Sequence, residues 1–136
     1  MEWLKWLARF GIVFAAFLAV DMVWLVFVAR KFYVKQIGYL MREPVNFAAA
    51  FLFYLVFVAG ILFFVLQPAL EKDSLAHAAL AGAFFGLVTY ATYDLTNLST
   101  VKDWPLLVTV VDLAWGTTLS LLVSVIGFLA IRRWVP

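Results

Sequence analysis

The chain contains no cysteine. Disulfides, thiolate nucleophiles and cysteine-held zinc or iron–sulfur centres are therefore excluded, and the redox compartment leaves no mark on the sequence. Charge is scarce too: Asp, Glu, Lys and Arg make up 13% of the 136 residues, about half the share of an ordinary soluble domain. So few charges cannot coat a surface that faces water. The single histidine, His77, cannot form a paired-histidine metal motif, and no Gly-rich phosphate loop or Ser–His–Asp set is present. The formal net charge is only +2, and its basic residues lie at the ends of apolar runs. That pattern offers no platform for nucleic acid.

Apolar surface is what the chain has in quantity. Hydrophobic residues reach 67%, with 14 Phe and 6 Trp, so lipid must cover much of the molecule. The length allows one domain. Four stretches reach the roughly 20 apolar residues that a spanning helix needs: residues 8–29, 45–66, 74–98 and 106–131. The breaks between them are polar and short. Residues 30–44 are basic and long enough for a short surface helix. Residues 67–73 contain Pro68, expected to stop the second helix, and Pro105 suits the first turn of the fourth. Trp3, Trp6, Trp104 and Trp134 fall near the expected membrane surfaces, where amphipathic rings settle.

Helices satisfy their own backbone polar groups in lipid. The expected fold is therefore all-α, a four-transmembrane-helix bundle forming one integral membrane domain over residues 1–136. Lys5 and Arg9 ahead of an apolar run imitate a secretory signal, but the run continues past Asp21 and is too long for one, so a retained first helix is expected. Orientation does not follow. Lys5, Arg9, Lys72, Arg132 and Arg133 share one side; Arg30, Lys31, Lys35, Arg42 and Lys102 share the other. Such an even split gives the positive-inside rule nothing to act on, and an antiparallel dimer would also suit it.

Three aspartates lie inside the spans: Asp21, Asp94 and Asp112. Each costs about 2.5–3.5 kcal/mol near mid-bilayer, so each calls for a reason to be there. Counted from the nearest connection at 1.5 Å per residue, all three sit roughly 10–14 Å deep in the same leaflet, on three helices. They can meet in one pocket. Tyr90, Asp94 and Asn97 share a face of the third helix, and Ala78, Gly82 and Gly86 continue it as a small-residue row suited to close packing. Thr109, Asp112, Gly116, Ser120, Ser124 and Gly127 form a matching stripe on the fourth. Trp24 and Trp115 each follow an aspartate by three residues, where an indole N–H could hold the acid, and Tyr54 adds a hydroxyl at comparable depth.

The segment Val20-Asp21-Met22-Val23-Trp24 is echoed by Val111-Asp112-Leu113-Ala114-Trp115, and more loosely by Tyr93-Asp94-Leu95-Thr96-Asn97. Together with Trp104-Pro105 and Gly116, these residues resemble an uncharacterised family of small bacterial membrane proteins, domain of unknown function 2177. The resemblance covers nearly the whole chain. It implies a four-span, multi-pass protein of the bacterial inner membrane without an assigned activity. Relatives are associated with gene neighbourhoods of lipid-modifying methyltransferases and flavin oxidoreductases, which implies lipid metabolism or envelope stress.

Several functions suit such a site. Acids gathered in a dry interior cannot all be charged, so the cluster offers an acid and a base together. With Trp24, Tyr54, Tyr90, Tyr93, Asn97 and Trp115 as ligand-binding wall, Asp21, Asp94 and Asp112 become candidate catalytic groups. They would recognise, and in an enzyme convert, a lipid-like amphiphile. The competing readings are a structural hydrogen-bond cluster, proton or cation transport by an oligomer, and an accessory subunit docked through Gly82 and Gly86. No ligand spacing demands a metal, although Asp21, Asp94, Asp112 and Asn97 could hold a hard cation, and no cofactor motif is present. His77 lies near the opposite surface, two turns or more from the acids.

Overall fold

Each apolar run folds as a helix longer than the run itself. The structure, a computed structural model, describes all 136 residues. It contains four helices long and apolar enough to span a membrane: α1 (Glu2–Leu40), α2 (Phe47–Glu71), α3 (Leu75–Thr100) and α4 (Leu106–Trp134). Bulky side chains such as Phe27, Phe47, Phe64, Leu80 and Phe84 stand exposed on the outside, as a lipid-facing surface requires.

The largest departure from expectation is in α1. The chain does not leave the helix at Arg30. It passes through a wide π segment, Leu25–Ala29, continues as α-helix over Arg30–Ile37 and finishes in a 3₁₀ turn, Gly38–Leu40. Neither Gly nor Pro occurs between Leu25 and Ile37 to stop it. At 1.5 Å per residue its 39 residues reach about 58 Å, against a hydrocarbon layer of about 30 Å. The end bearing Arg30, Lys31 and Lys35 therefore projects beyond the apolar layer.

Pro68 does not stop α2 either; the helix runs on to Glu71. A second π segment, Ile61–Leu66, lies immediately before it. The widened turn displaces the carbonyl that a proline ring would otherwise strike, and Pro68 has no N–H to leave unpaired. The starts of α2 and α3 are capped by side chains: Asn46 accepts from the Ala49 N–H at 3.1 Å and Ser74 from the His77 N–H at 3.0 Å. Pro105 sits one residue ahead of α4 in extended backbone. Next to Pro105, Trp104 turns inward instead of anchoring at the surface. Its indole N–H donates to Thr109 Oγ1 at 3.1 Å, and Thr109 reaches the Asp94 carbonyl at 3.4 Å, clasping α3 to α4.

The seam between α3 and α4 organises the bundle. Ala78, Gly82 and Gly86 are buried against Ser124, Ser120 and Gly116. A methyl group at Gly82 would overlap Ser124, one at Gly86 would strike the Gly116 backbone, and one at Gly116 would enter the Tyr90 ring. This face is covered by α4, and Gly82 and Gly86 pack inside the bundle, as a small-residue row suited to close packing does. Toward the end shared by the chain termini, Val13, Phe17, Val58, Ile61, Leu66, Leu119, Val123, Phe128 and Ile131 close an apolar core. At the other end the bundle opens. The backbone of Phe47–Gly60 stands off α3 and reaches it through Phe57, against Phe85 and Tyr90, while α2 comes close to α3 and α4 along Ile61–Glu71.

Candidate functional site

The wedge between α2 and α3 holds a cavity of about 590 Å³. All four helices line it: Asp21, Trp24, Leu25 and Tyr33 from α1; Ala50, Phe53, Tyr54 and Phe57 from α2; Thr89, Tyr90 and Tyr93 from α3; Asp112 and Trp115 from α4. Its wall is aromatic and two carboxyl groups interrupt it. The Thr89 hydroxyl is spent on the carbonyls of Phe85 and Gly86 at 2.8 and 3.1 Å, so this residue mainly offers its methyl group. No lysine or arginine is among the lining residues.

Trp24 and Trp115 stack face to face, ring centroids 4.4 Å apart and planes 8° from parallel. Because α1 and α4 run antiparallel and each tryptophan follows its aspartate by three residues, the two acids fall on opposite sides of the stack. Their Cα atoms are offset by about 9 Å along the bundle. Asp21, on the inner side, accepts a hydrogen bond from the Tyr54 hydroxyl on Oδ2 at 3.2 Å. Asp112, on the outer side, accepts one from the Tyr33 hydroxyl on Oδ1. Tyrosines, and not the indoles, hold these acids. The buried Trp115 Nε1 meets no acceptor at all.

Asp94 is fully buried, and no tyrosine, tryptophan, serine or backbone donor reaches either of its oxygens. Its titratable neighbour is the Asp112 carboxyl, and two acids this close in a dry interior do not both carry charge. Tyr90 sits among the acids, within electrostatic reach of Asp21, Asp112, Asp94 and Tyr54, and packs edge-on against Phe57 with centroids 6.3 Å apart.

The residues singled out from the sequence divide into two groups. Asp21, Trp24, Tyr54, Tyr90, Tyr93, Asp112 and Trp115 line one cavity; Asp94 lies directly behind Asp112; Asn97 is half-buried and does not line it. His77 lies in the first turn of α3 at the far end, its backbone N–H capped by Ser74, and takes no part. Tyr33 escapes sequence reasoning because residues 30–44 form a polar, basic break suited to a short surface helix, outside the bundle. Its signal is the spacing Asp21, Leu25, Ala29, Tyr33. Steps of four at 100° per residue drift about 120° around an ordinary helix. The π segment takes more residues per turn and returns Tyr33 to the face of Asp21.

The profile of one protein family, described as predicted membrane protein (DUF2177), matches residues 6–129. The match spans most of the chain, and the chain belongs to that family. No curated protein and no solved structure matches it.

Proposed function

We propose that this membrane protein binds a lipid-like amphiphile, with the polar head in the Asp21–Asp112 cavity and the apolar chain leaving between α2 and α3 into the bilayer. One observation carries the reading: a cavity of about 590 Å³, walled by aromatic rings and floored by acids, lies beside a gap between helices. Its volume falls in the range of small-molecule sites, and a mostly apolar wall with a few convergent polar groups is the usual make-up of such sites. The membrane in question is a bacterial inner membrane, as the family resemblance implies.

A transport path gains no support from the geometry. Below the tryptophan stack, Phe17, Phe57, Ile61 and Leu119 close the interior. Ser120 and Ser124, the polar groups further in, are locked against Gly86 and Gly82 with no open space beside them. A cavity closed at its inner end suits retention better than passage.

The test is native mass spectrometry of the protein purified in a mild neutral detergent, with lipid extraction in parallel. Wild type should retain a defined amphiphile that Ala50→Trp, which fills the cavity, loses. Leu80→Trp, on the lipid-facing surface, should keep it. Equal retention by the two variants, or none by wild type, would sink the reading.

A further inference from the structure

The carboxyl groups of the cavity have no basic counterpart within the protein. The ion pair the chain forms, Arg132 with Asp73, lies at the opposite end, and no basic side chain lines the cavity. Asp21 keeps Oδ1 free after accepting from Tyr54. Asp112 presents a second carboxyl group to the cavity, and beside it Asp94 keeps both oxygens fully buried without a hydrogen-bond donor. A single buried acid would say little. Here a second feature points the same way, because the surrounding groups are Trp24, Trp115, Tyr33, Tyr54 and Tyr90. Aromatic faces carry negative electrostatic potential and attract a cation within about 6 Å of the ring. Of the four tyrosines that line the cavity, Tyr33 and Tyr54 already donate their hydroxyls to Asp112 and Asp21.

We infer that the head group taken by this cavity is a positively charged amine or quaternary ammonium, seated between Asp21 and Asp112 against the aromatic wall. This deepens the amphiphile reading and rests on it. An anionic head such as a phosphate meets two carboxylate positions and no basic group, and the desolvation of its charge goes uncompensated. A neutral head could hydrogen-bond to the Tyr90 and Tyr93 hydroxyls but brings no opposite charge to the two carboxyl groups. A cation supplies what the site lacks: opposite charge for Asp112 and Asp21, and a partner for the ring faces. Its apolar chain then follows Phe53 and Phe57 toward the gap between α2 and α3.

Four probes test the inference on the intact protein in dodecyl maltoside, read by native mass spectrometry. Three share one chain: dodecyltrimethylammonium, dodecyl phosphate and dodecanol. The fourth, tetramethylammonium, is the same head without a chain. The expected result is retention of dodecyltrimethylammonium at concentrations at least ten-fold lower than the phosphate or the alcohol. That preference should vanish in the double variant Asp21→Asn/Asp112→Asn, its folding checked by thermal melting. Should the double variant not fold, the wild-type ranking still decides.

Equal retention of the three dodecyl probes, or preference for the phosphate, overturns the cationic head. If Ala50→Trp still abolishes that binding, the amphiphile reading survives. Retention of no dodecyl probe, together with no co-purified lipid, overturns both. Tetramethylammonium should fail to displace the dodecyl cation at equal concentration. Efficient displacement would mean a water-borne cation and would overturn the amphiphile.

Discussion

Trp24 and Trp115 lie 4.4 Å apart, almost parallel, and join the first helix to the last at the level of the cavity. Both rings also line the cavity, so the stack serves as packing and as wall. An aromatic pair of this kind contributes about 0.5–1.5 kcal/mol beyond its buried area. A double-mutant cycle on Trp24→Ala and Trp115→Ala, followed by unfolding in mixed micelles, should return a coupling of about 1 kcal/mol. Strictly additive single losses would mean that the rings do not depend on each other.

Tyr33→Phe removes the hydroxyl that ties the projecting end of α1 to Asp112. The expected cost is about 1 kcal/mol, in line with membrane hydrogen bonds averaging about 0.6. The local effect is larger: amide exchange over Arg30–Leu40 should quicken several-fold. Inserting an alanine after Val26 should have the same result by another route. One residue more, with the π segment retained, swings Tyr33 by about 100°. Unchanged exchange in both variants would show that the projecting end is held elsewhere, for instance by Tyr39 on the Asp103 carbonyl.

Glycine positions separate by what surrounds them. A side chain at Gly86 would strike the Gly116 backbone, which cannot yield, so Gly86→Val should cost about 3 kcal/mol or prevent folding. Gly11 has nothing near it on the same criterion, and Gly11→Ala should stabilise by about 0.5–1 kcal/mol. Melting temperatures in detergent moving in opposite directions would bear this out. Two variants with the same sign would not.

Asp94→Asn keeps shape and supplies an N–H to Asp112, so the fold should be retained to within about 1 kcal/mol. Asp94→Ala removes the partner and leaves a void, with an expected cost of about 2 kcal/mol. If asparagine is as damaging as alanine, the Asp94–Asp112 contact is not what the buried carboxyl provides.

Much of this arrangement is legible in the residue order. Hydropathy places four helices, and counting depth from the connections brings Asp21, Asp94 and Asp112 to one end of the bundle. The small-residue row on α3 and its match on α4 find each other because glycine and serine permit the closest backbone approach available. Tyr33 is hidden because periodicity assumes a uniform 3.6 residues per turn, and α1 departs from that at Leu25–Ala29. Trp104 is hidden for a different reason. Proximity to a helix end suggests a surface anchor, whereas the hydroxyl of Thr109 gives its indole a buried acceptor. Pro68 misleads because a π turn just before it removes the usual clash.

On the proposed reading, a ligand enters through the gap between α2 and α3, from the acyl chains and not from bulk water. Exchange through such a portal follows two-dimensional diffusion, and the quantity that sets occupancy is mole fraction in the surrounding leaflet. Diluting the protein into more buffer would then change little. Diluting it into more lipid would empty the cavity.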